Sequence, residues 1–362
     1  MTELSLRRAR GLDWGLFIAA ASLALISGVA MASAASTVNP RLALRHVIWT
    51  GIGVGAFLVV GRLDYRRWST AINLGYALSL VALVLVHVAG AVRLGATRWL
   101  SVFGLSLQPS ELAKLTTTWL LARYLAGQPT PLPGRVMLTS LALVGAPALL
   151  IFVQPDLGSA TIFAAIWLGM IWAGGASRRT LLSIGAVLLT ALPIGWSLLK
   201  DYQRDRLMVF INPHVDPLGA GFSIIQSTIA IGSGQLLGKG WFAGTQNQLS
   251  FLPERHSDFI FSVIGEEWGF VGCLAIVVLF SVLLSRAARI ALHATDPQGT
   301  LVATGIFSWI AYQAFVNMGM VMGLLPVVGV PLPLVSYGGS SMVTLWVALG
   351  LLQSIYRADA AS

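Results

Sequence analysis

The chain alternates long apolar runs with short polar breaks, and the runs have the length that a bilayer demands. An α-helix rises about 1.5 Å per residue, so about twenty apolar residues cross hydrocarbon about 30 Å thick. Windows of that length predict helices near 13–34, 43–61, 71–90, 109–126, 136–153, 158–174, 180–199, 258–284, 300–322 and 338–356. The expected fold class is an all-α polytopic membrane protein of about ten transmembrane helices. A polar stretch from Lys200 to Ser257 interrupts the pattern between the seventh and eighth helices and reads as a large extracellular loop. Within it, Ile224, Ile225, Ile229 and Ile231 predict a short helix lying on or dipping into the membrane. No second domain is marked, so 1–362 reads as one transmembrane domain.

Composition agrees with this reading: 56% of residues are hydrophobic and only 10% charged, far from soluble globular usage. The first apolar run is too long for the core of a cleavable signal and reads as a retained span. Arginines set the orientation. With a cytoplasmic amino terminus, the inner side receives Arg7, Arg8 and Arg10, then Arg62, Arg66 and Arg67, and later Arg123, Arg135, Arg178, Arg179, Arg286, Arg289 and Arg357. That bias places both termini in the cytoplasm and accounts for the net charge of +9. No basic stripe interleaved with aromatics points to nucleic acid. Cys273 stands alone in an apolar helix and reads as a packed small residue, and the five histidines form no ligand-spaced pair.

Four polar segments gather on the outer side. In Gln108-Pro-Ser-Glu-Leu-Ala-Lys114, Pro109 suits a first helical turn, and Glu111 and Lys114 share a face. They form either a neutralising pair or a wet cavity in which Lys114 meets an anion. In Gln154-Pro-Asp-Leu-Gly158, Asp156 sits at a tight turn or at a helix amino end, where capping competes with ligand binding. The long loop carries Lys239 and Arg255, and runs into Asp258 where it enters hydrocarbon. Its Gly-x-Gly resembles a phosphate loop only superficially, with no Walker pattern. On one continuous helix Glu266 lies about 80° round from Asp258, at the cavity floor, and Glu267 roughly opposite. Finally, Pro326–Ser341 is too rich in proline and glycine for a regular helix and too apolar for a solvated loop. Such backbone survives at membrane depth only where protein or a wet cavity covers it, and Ser336, Tyr337, Ser340 and Ser341 would offer hydrogen bonds there.

In combination these motifs resemble the SEDS family of bacterial cell-wall proteins along nearly the whole chain. The resemblance is carried by Gly95-Ala-x-Arg-Trp, Gln108-Pro-Ser-Glu-x-x-Lys114, Gln154-Pro-Asp-x-Gly, Phe251-Leu-Pro-Glu-Arg-His-Ser-Asp-Phe-Ile-Phe, Gly265-Glu-Glu-Trp-Gly and Leu332-Pro-x-x-Ser-Tyr-Gly-Gly-Ser-Ser341. Gln246–Glu254 and Asn317–Pro326 look more like the elongation branch than the division branch. Ser257 stands where the family usually shows Thr, which keeps the hydroxyl.

The resemblance implies a ten-helix fold and peptidoglycan glycosyltransferase activity during cell elongation. It implies polymerisation of lipid II on the outer face of the bacterial cytoplasmic membrane, beside a class B penicillin-binding protein. It marks Asp258 as the essential acid, whose role as base, metal ligand or helix cap stays open. Lys114 is the first candidate for the pyrophosphate, with Arg98, Lys239 and Arg255 behind it, although any arginine here could instead anchor lipid headgroups. The substrate set is completed by Glu111, Asp156, Glu266, Ser336 and Ser340. Pyrophosphate leaving groups leave room for a divalent cation, Mg or Mn, although no ligand cluster is visible. The polyprenyl tail calls for a lateral groove, for which the seventh helix, loosened by Pro193 and Gly195, or the loop after it is the expected mobile wall. A transporter or flippase of lipid-linked precursors is the alternative, weakened by the absence of an energy-coupling motif and by the gathering of polar signals on one face. A non-catalytic scaffold leaves Asp258 and Lys114 unexplained.

Overall fold

The computed structural model describes residues 11–37, 39–69, 71–89, 91–93, 96–102, 105–198, 201–219 and 221–361. Arg7, Arg8, Arg10, Gly95 and Lys200, named above, lie outside them. Ten helices of 17 residues or more are present among the described residues: α1 (Trp14–Ala34), α2 (Arg41–Val60), α3 (Ile72–Ala89), α4 (Pro109–Ala126), α5 (Gly134–Val153), α6 (Leu157–Ala173), α7 (Arg178–Leu198), and the three that follow the long loop. The loop holds α8 (Asp201–Ile211), α9 (Phe222–Ser233) and α10 (Thr245–Gln248), and the last three long helices are α11 (Ile260–His293), α12 (Pro297–Val321) and α13 (Gly339–Ala361). The fold is an all-α polytopic membrane protein. Among the described residues, six helices are long and apolar enough to cross a membrane, and α3, α6 and α9 are shorter apolar helices.

Local chemistry sets the helix ends. Asp13 caps α1 by accepting from Leu16 N, and Asp296 caps α12 through Gln298 N and Gly299 N, with Pro297 at the first position. Asp13 also pairs with Arg286 on α11 at 2.7 Å, so one carboxylate caps a helix and ties two together. The centre of the bundle is α12, whose span is 67% buried and packs on α4, α6, α11 and α13. α2 lies at the periphery with 17% buried, resting mainly on α13, where Gly53 lets the Trp346 indole press against bare backbone.

Two departures from the sequence reading matter for the site. First, residues Ala91–Arg93, Ala96–Val102 and Leu105–Leu107 form a three-stranded antiparallel sheet, β1-β2-β3, in the connection between α3 and α4. Second, the expected span 258–284 runs instead from Ile260 to His293 and is broken at Gly269, whose φ of 66° and ψ of −158° are not helical. The break divides the span into a half-helix up to Trp268 and a long helix from Phe270. Loop backbone fills the gap: Phe270 N donates to Gln235 O at 2.8 Å, and Lys239 N and Gly240 N donate to Glu266 O and Glu267 O, each at 3.0 Å. A Cβ at Gly269 would collide with the backbone of Leu236 and Gly238, so glycine is required by conformation and by space.

α7 differs from the rest. None of its described residues is buried, and Leu182, Val187, Leu188 and Leu189 are all more than half exposed. The short α9 is the helix expected around the isoleucines, but of the four only Ile224 is buried, with Ser227 and Ala230, against α11 and α12.

Candidate active site

A cavity of about 890 Å³ draws together the polar segments that the sequence left apart. Its polar wall includes Arg98, Glu111, Asp156, Glu254, His256 and Asp258. Opposite them, α2 contributes Leu42, Ile48, Trp49 and Ile52, an apolar face whose isoleucines are about half exposed. The third wall is the irregular segment 328–339 leading into α13.

Asp258 sits half-buried two residues before α11, in a turn whose amides return to Glu254 O. The carboxylate therefore does not belong to the helical register assumed above. Its position is held by Asn317 on α12, whose Nδ2 donates to Asp258 O at 2.9 Å and to Val330 O at 2.7 Å. Gly329, with φ of 71°, brings bare backbone beside the carboxylate: a Cβ there would lie 3.4 Å from Asp258 Oδ2. Ser336 Oγ donates to Ser257 O at 2.5 Å and accepts from Leu332 N at 2.7 Å, binding the irregular segment to the same turn. Two non-glycine cavity residues, Glu254 and Leu334, hold left-handed backbone, the local strain that packed surroundings must impose.

Glu111 and Lys114 divide their work. Lys114 is buried behind the cavity wall, 2.9 Å from Glu111 Oε1 and 3.4 Å from Gln313 Oε1, with its Nζ 4.7 Å above the Trp309 ring. Glu111 faces the cavity, and its second oxygen is buried with no hydrogen-bond partner among the described residues. A buried carboxylate oxygen in that state is available to a hydroxyl or a water. Arg98, on β2, donates to Gln154 O at 3.4 Å and to Pro155 O, and its Nη1 lies 3.8 Å from Asp156. Asp156 also caps α6 through Ser159 N at 3.2 Å, so capping and cavity lining coexist in one residue.

Other expected contacts fall elsewhere. Glu266 is fully buried outside the cavity lining and is saturated by Lys239 Nζ at 2.8 Å, Thr245 Oγ1 at 3.1 Å, Gln246 N at 3.0 Å and Asn247 N at 3.2 Å. It fastens the loop and does not form the cavity floor, because α11 starts after Asp258 and points Glu266 at residues 239–247. Lys239 is its partner and is likewise removed from the cavity. Arg255 is buried and donates to Ala34 O at 3.0 Å, to Ser250 Oγ at 3.2 Å, and to Asn247 O and Thr37 Oγ1. It clamps the loop to α1. Ser340 is buried and accepts from Gln108 N at 3.3 Å, supporting the wall from behind. Among the described residues no α7 side chain lines the cavity, whereas the loop after it contributes Glu254, His256 and Ser257 and α2 adds the apolar wall.

Sequence reasoning missed Arg45, an exposed α2 arginine that lines the same cavity as Arg98 and Asp156. The signal is a second charge, four residues after Arg41, at the start of a mainly apolar helix. His256 was also missed. Its Nε2 lies 3.9 Å from Glu254, and its ring packs 5.9 Å from Tyr337. Burial pushes its pKa below the ordinary 6.5, Glu254 partly opposes this, and Arg255 adds to it.

The chain matches the FtsW/RodA/SpoVE cell cycle protein family over residues 12–360. It is 45% identical over 294 residues to the peptidoglycan glycosyltransferase MrdB of Escherichia coli K12, covering 81% of this chain and 78% of that protein. It is 40% identical to stage V sporulation protein E of Bacillus subtilis, covering 87% of each. Among solved structures, a chain of a peptidoglycan synthase complex that coordinates polymerisation and crosslinking superposes with a TM-score of 0.84 at 34% identity, over 97% of this chain and 99% of that one. The rod shape determining protein RodA of Thermus thermophilus gives 0.72 at 30% identity, over 96% and 97%. With its motifs gathered around one cavity and a match across almost its full length, the chain belongs to the FtsW/RodA/SpoVE family, the SEDS proteins.

Proposed function

We propose that this protein is a peptidoglycan glycosyltransferase of the elongation type, which polymerises lipid II beside a class B penicillin-binding protein. The observation that carries the reading is the union, in one cavity, of the carboxylates Glu111, Asp156, Glu254 and Asp258, guanidinium groups from Arg45 and Arg98, and an apolar wall on α2. Lipid II presents the same three chemistries: hydroxyls, a pyrophosphate and a polyprenyl chain.

In the reaction a sugar hydroxyl of the acceptor attacks the anomeric carbon of the donor, and polyprenyl pyrophosphate leaves. Asp258 accepts the hydroxyl proton as general base. Arg98 and Arg45 meet the charge that grows on the departing pyrophosphate, and fixed cations at that point favour the transition state over the ground state. Glu111 offers its unpartnered oxygen to the sugar, while Lys114 holds that carboxylate in place. The α2 face carries the polyprenyl tail out to lipid. Among the described residues no three His, Cys, Asp or Glu side chains gather as a metal-binding group, so no step is routed through a divalent ion.

The arginine distribution supports a cytoplasmic location for both termini, with the cavity opening toward the outer face of the bacterial inner membrane. Residues 1–362 act as one transmembrane domain, with surrounding lipids as solvent. The deciding experiment gives purified protein and its partner lipid II in detergent and follows glycan strands by gel. Strands establish the polymerase, since a flippase has nothing to show without two compartments. Translocation in sealed vesicles without any polymer would overturn the assignment.

A further inference from the structure

A second cavity, of about 410 Å³, lies at the far end of α2 from the candidate active site. Leu12, Phe57 and Leu58 form its apolar side, and Arg62, Gln353 and Arg357 its polar side, with no acid in the lining among the described residues. Gln353 is already engaged: its Oε1 accepts from Asp13 N at 2.8 Å and its Nε2 donates to Gly11 O at 3.2 Å. Asp13, the acid closest along this network, is held by Arg286. Arg357 donates from Nη1 to Gly61 O at 3.1 Å, yet its Nε is buried with no acceptor among the described residues. Arg62 is exposed beside it. Two guanidinium groups, one with a buried unanswered N–H, suit the recess to an anion.

The surroundings select the kind of anion. Leu58, Val59 and Leu63 are exposed at 39%, 59% and 40% around the end of α2, so apolar surface adjoins the charged recess. A free phosphate would use only the polar half, whereas a phospholipid fills both, with phosphate on the arginines and acyl chain along Leu58. Basic recesses between helix ends on the cytoplasmic side suit this chemistry. We propose that this cavity binds the headgroup phosphate of an anionic phospholipid from the inner leaflet. The lipid joins the inner ends of α2 and α13, and because α2 is also the apolar wall of the catalytic cavity, its occupancy steadies that wall from the opposite side of the membrane. The leaflet rests on the orientation proposed above; the binding itself does not, and a symmetric bilayer keeps the two questions apart.

The test uses the full chain in nanodiscs of phosphatidylcholine with graded phosphatidylglycerol, and native mass spectrometry counts retained lipid. Wild type should hold one phosphatidylglycerol per chain, and Arg62→Ala should weaken retention about fivefold, at about 1 kcal/mol per basic contact. Arg62→Ala with Arg357→Gln should weaken it about 25-fold. Should the Arg357 variant fail to fold, Leu58→Glu puts a repelling charge at the mouth and leaves the Arg357–Gly61 bond intact; it should lose the lipid as the double variant does. Equal retention in these variants overturns the proposal, as does thermal protection by phosphatidylcholine equal to that by phosphatidylglycerol. Protection by inorganic phosphate alone at matched anion concentration would identify a free-anion site and overturn the lipid assignment.

Discussion

Asp258 and Glu266 stand eight residues apart in one motif and meet opposite fates. Glu266 has no solvent exposure and takes four hydrogen bonds from the returning loop, one of them from Lys239. Asp258 is half-buried, held through its backbone by Asn317, and left with its side chain on a cavity of about 890 Å³. The contrast shows that burial of an acid in a membrane protein does not by itself mark chemistry. What separates them is where the carboxylate lies: in one it is enclosed by the returning loop, in the other it lines the cavity.

The sharpest break in this comparison is Asp258→Asn. Volume is kept and charge removed, so polymerisation of lipid II should fall by about 10²–10⁴-fold while thermal unfolding and partner binding stay at wild-type values. Wild-type turnover would remove Asp258 from the reaction. Lys114→Met comes next. It leaves Glu111 buried without its counter-ion, a change that costs about 3–5 kcal/mol. Pairing it with Glu111→Gln should restore the melting temperature but not the activity, because the cavity-facing oxygen is lost. Recovery of both would reduce the pair to structural neutralisation.

Glu266→Gln should cost about 2 kcal/mol through weakened charge-assisted hydrogen bonds. Turnover per folded molecule should stay unchanged, and a drop matching Asp258→Asn would erase the distinction drawn here. Arg98→Lys keeps the charge but loses the fork that reaches Gln154 O and Pro155 O, so about a tenfold rise in KM is expected with a smaller change in kcat. The smallest effect is on pH dependence. His256 has a folded pKa below its unfolded one, so its unfolded form binds protons more readily; stability is full above about 6.5 and declines as pH falls through that value. Melting curves between pH 7.5 and 5 should show this slope flattened in His256→Asn.

Much of this was legible in the chain. Ten apolar runs gave ten long helices because twenty-residue periodicity is a bilayer constraint, strong enough to survive without neighbours. The convergence of Asp156, Glu111, Asp258 and Ser336 was also legible, since polar groups entering hydrocarbon have few places to go. Other features were not. The β-sheet between α3 and α4 consists of strands of three, seven and three residues, too short for alternation to stand out. Glu266 and Lys239 met across 27 residues of sequence, a pairing set by the turn at Gly269 and not by spacing along one helix. Arg45 lay hidden because a charge near the end of a lipid-facing helix has the same appearance in sequence whether it faces headgroups or a cavity.

The break at Gly269 has a consequence for how the protein is made. Where backbone is interrupted within hydrocarbon it needs partners from elsewhere, since each orphaned amide or carbonyl costs several kcal/mol there. Residues 235–240 supply the missing partners, and they leave the ribosome before α11 does. The stretch 235–240 is thus a template that must already be in place when α11 arrives at the insertion machinery. Lengthening or shortening the stretch between Gly240 and Ile260 should then appear first as failed membrane integration and degradation, well before any defect in the mature protein's chemistry.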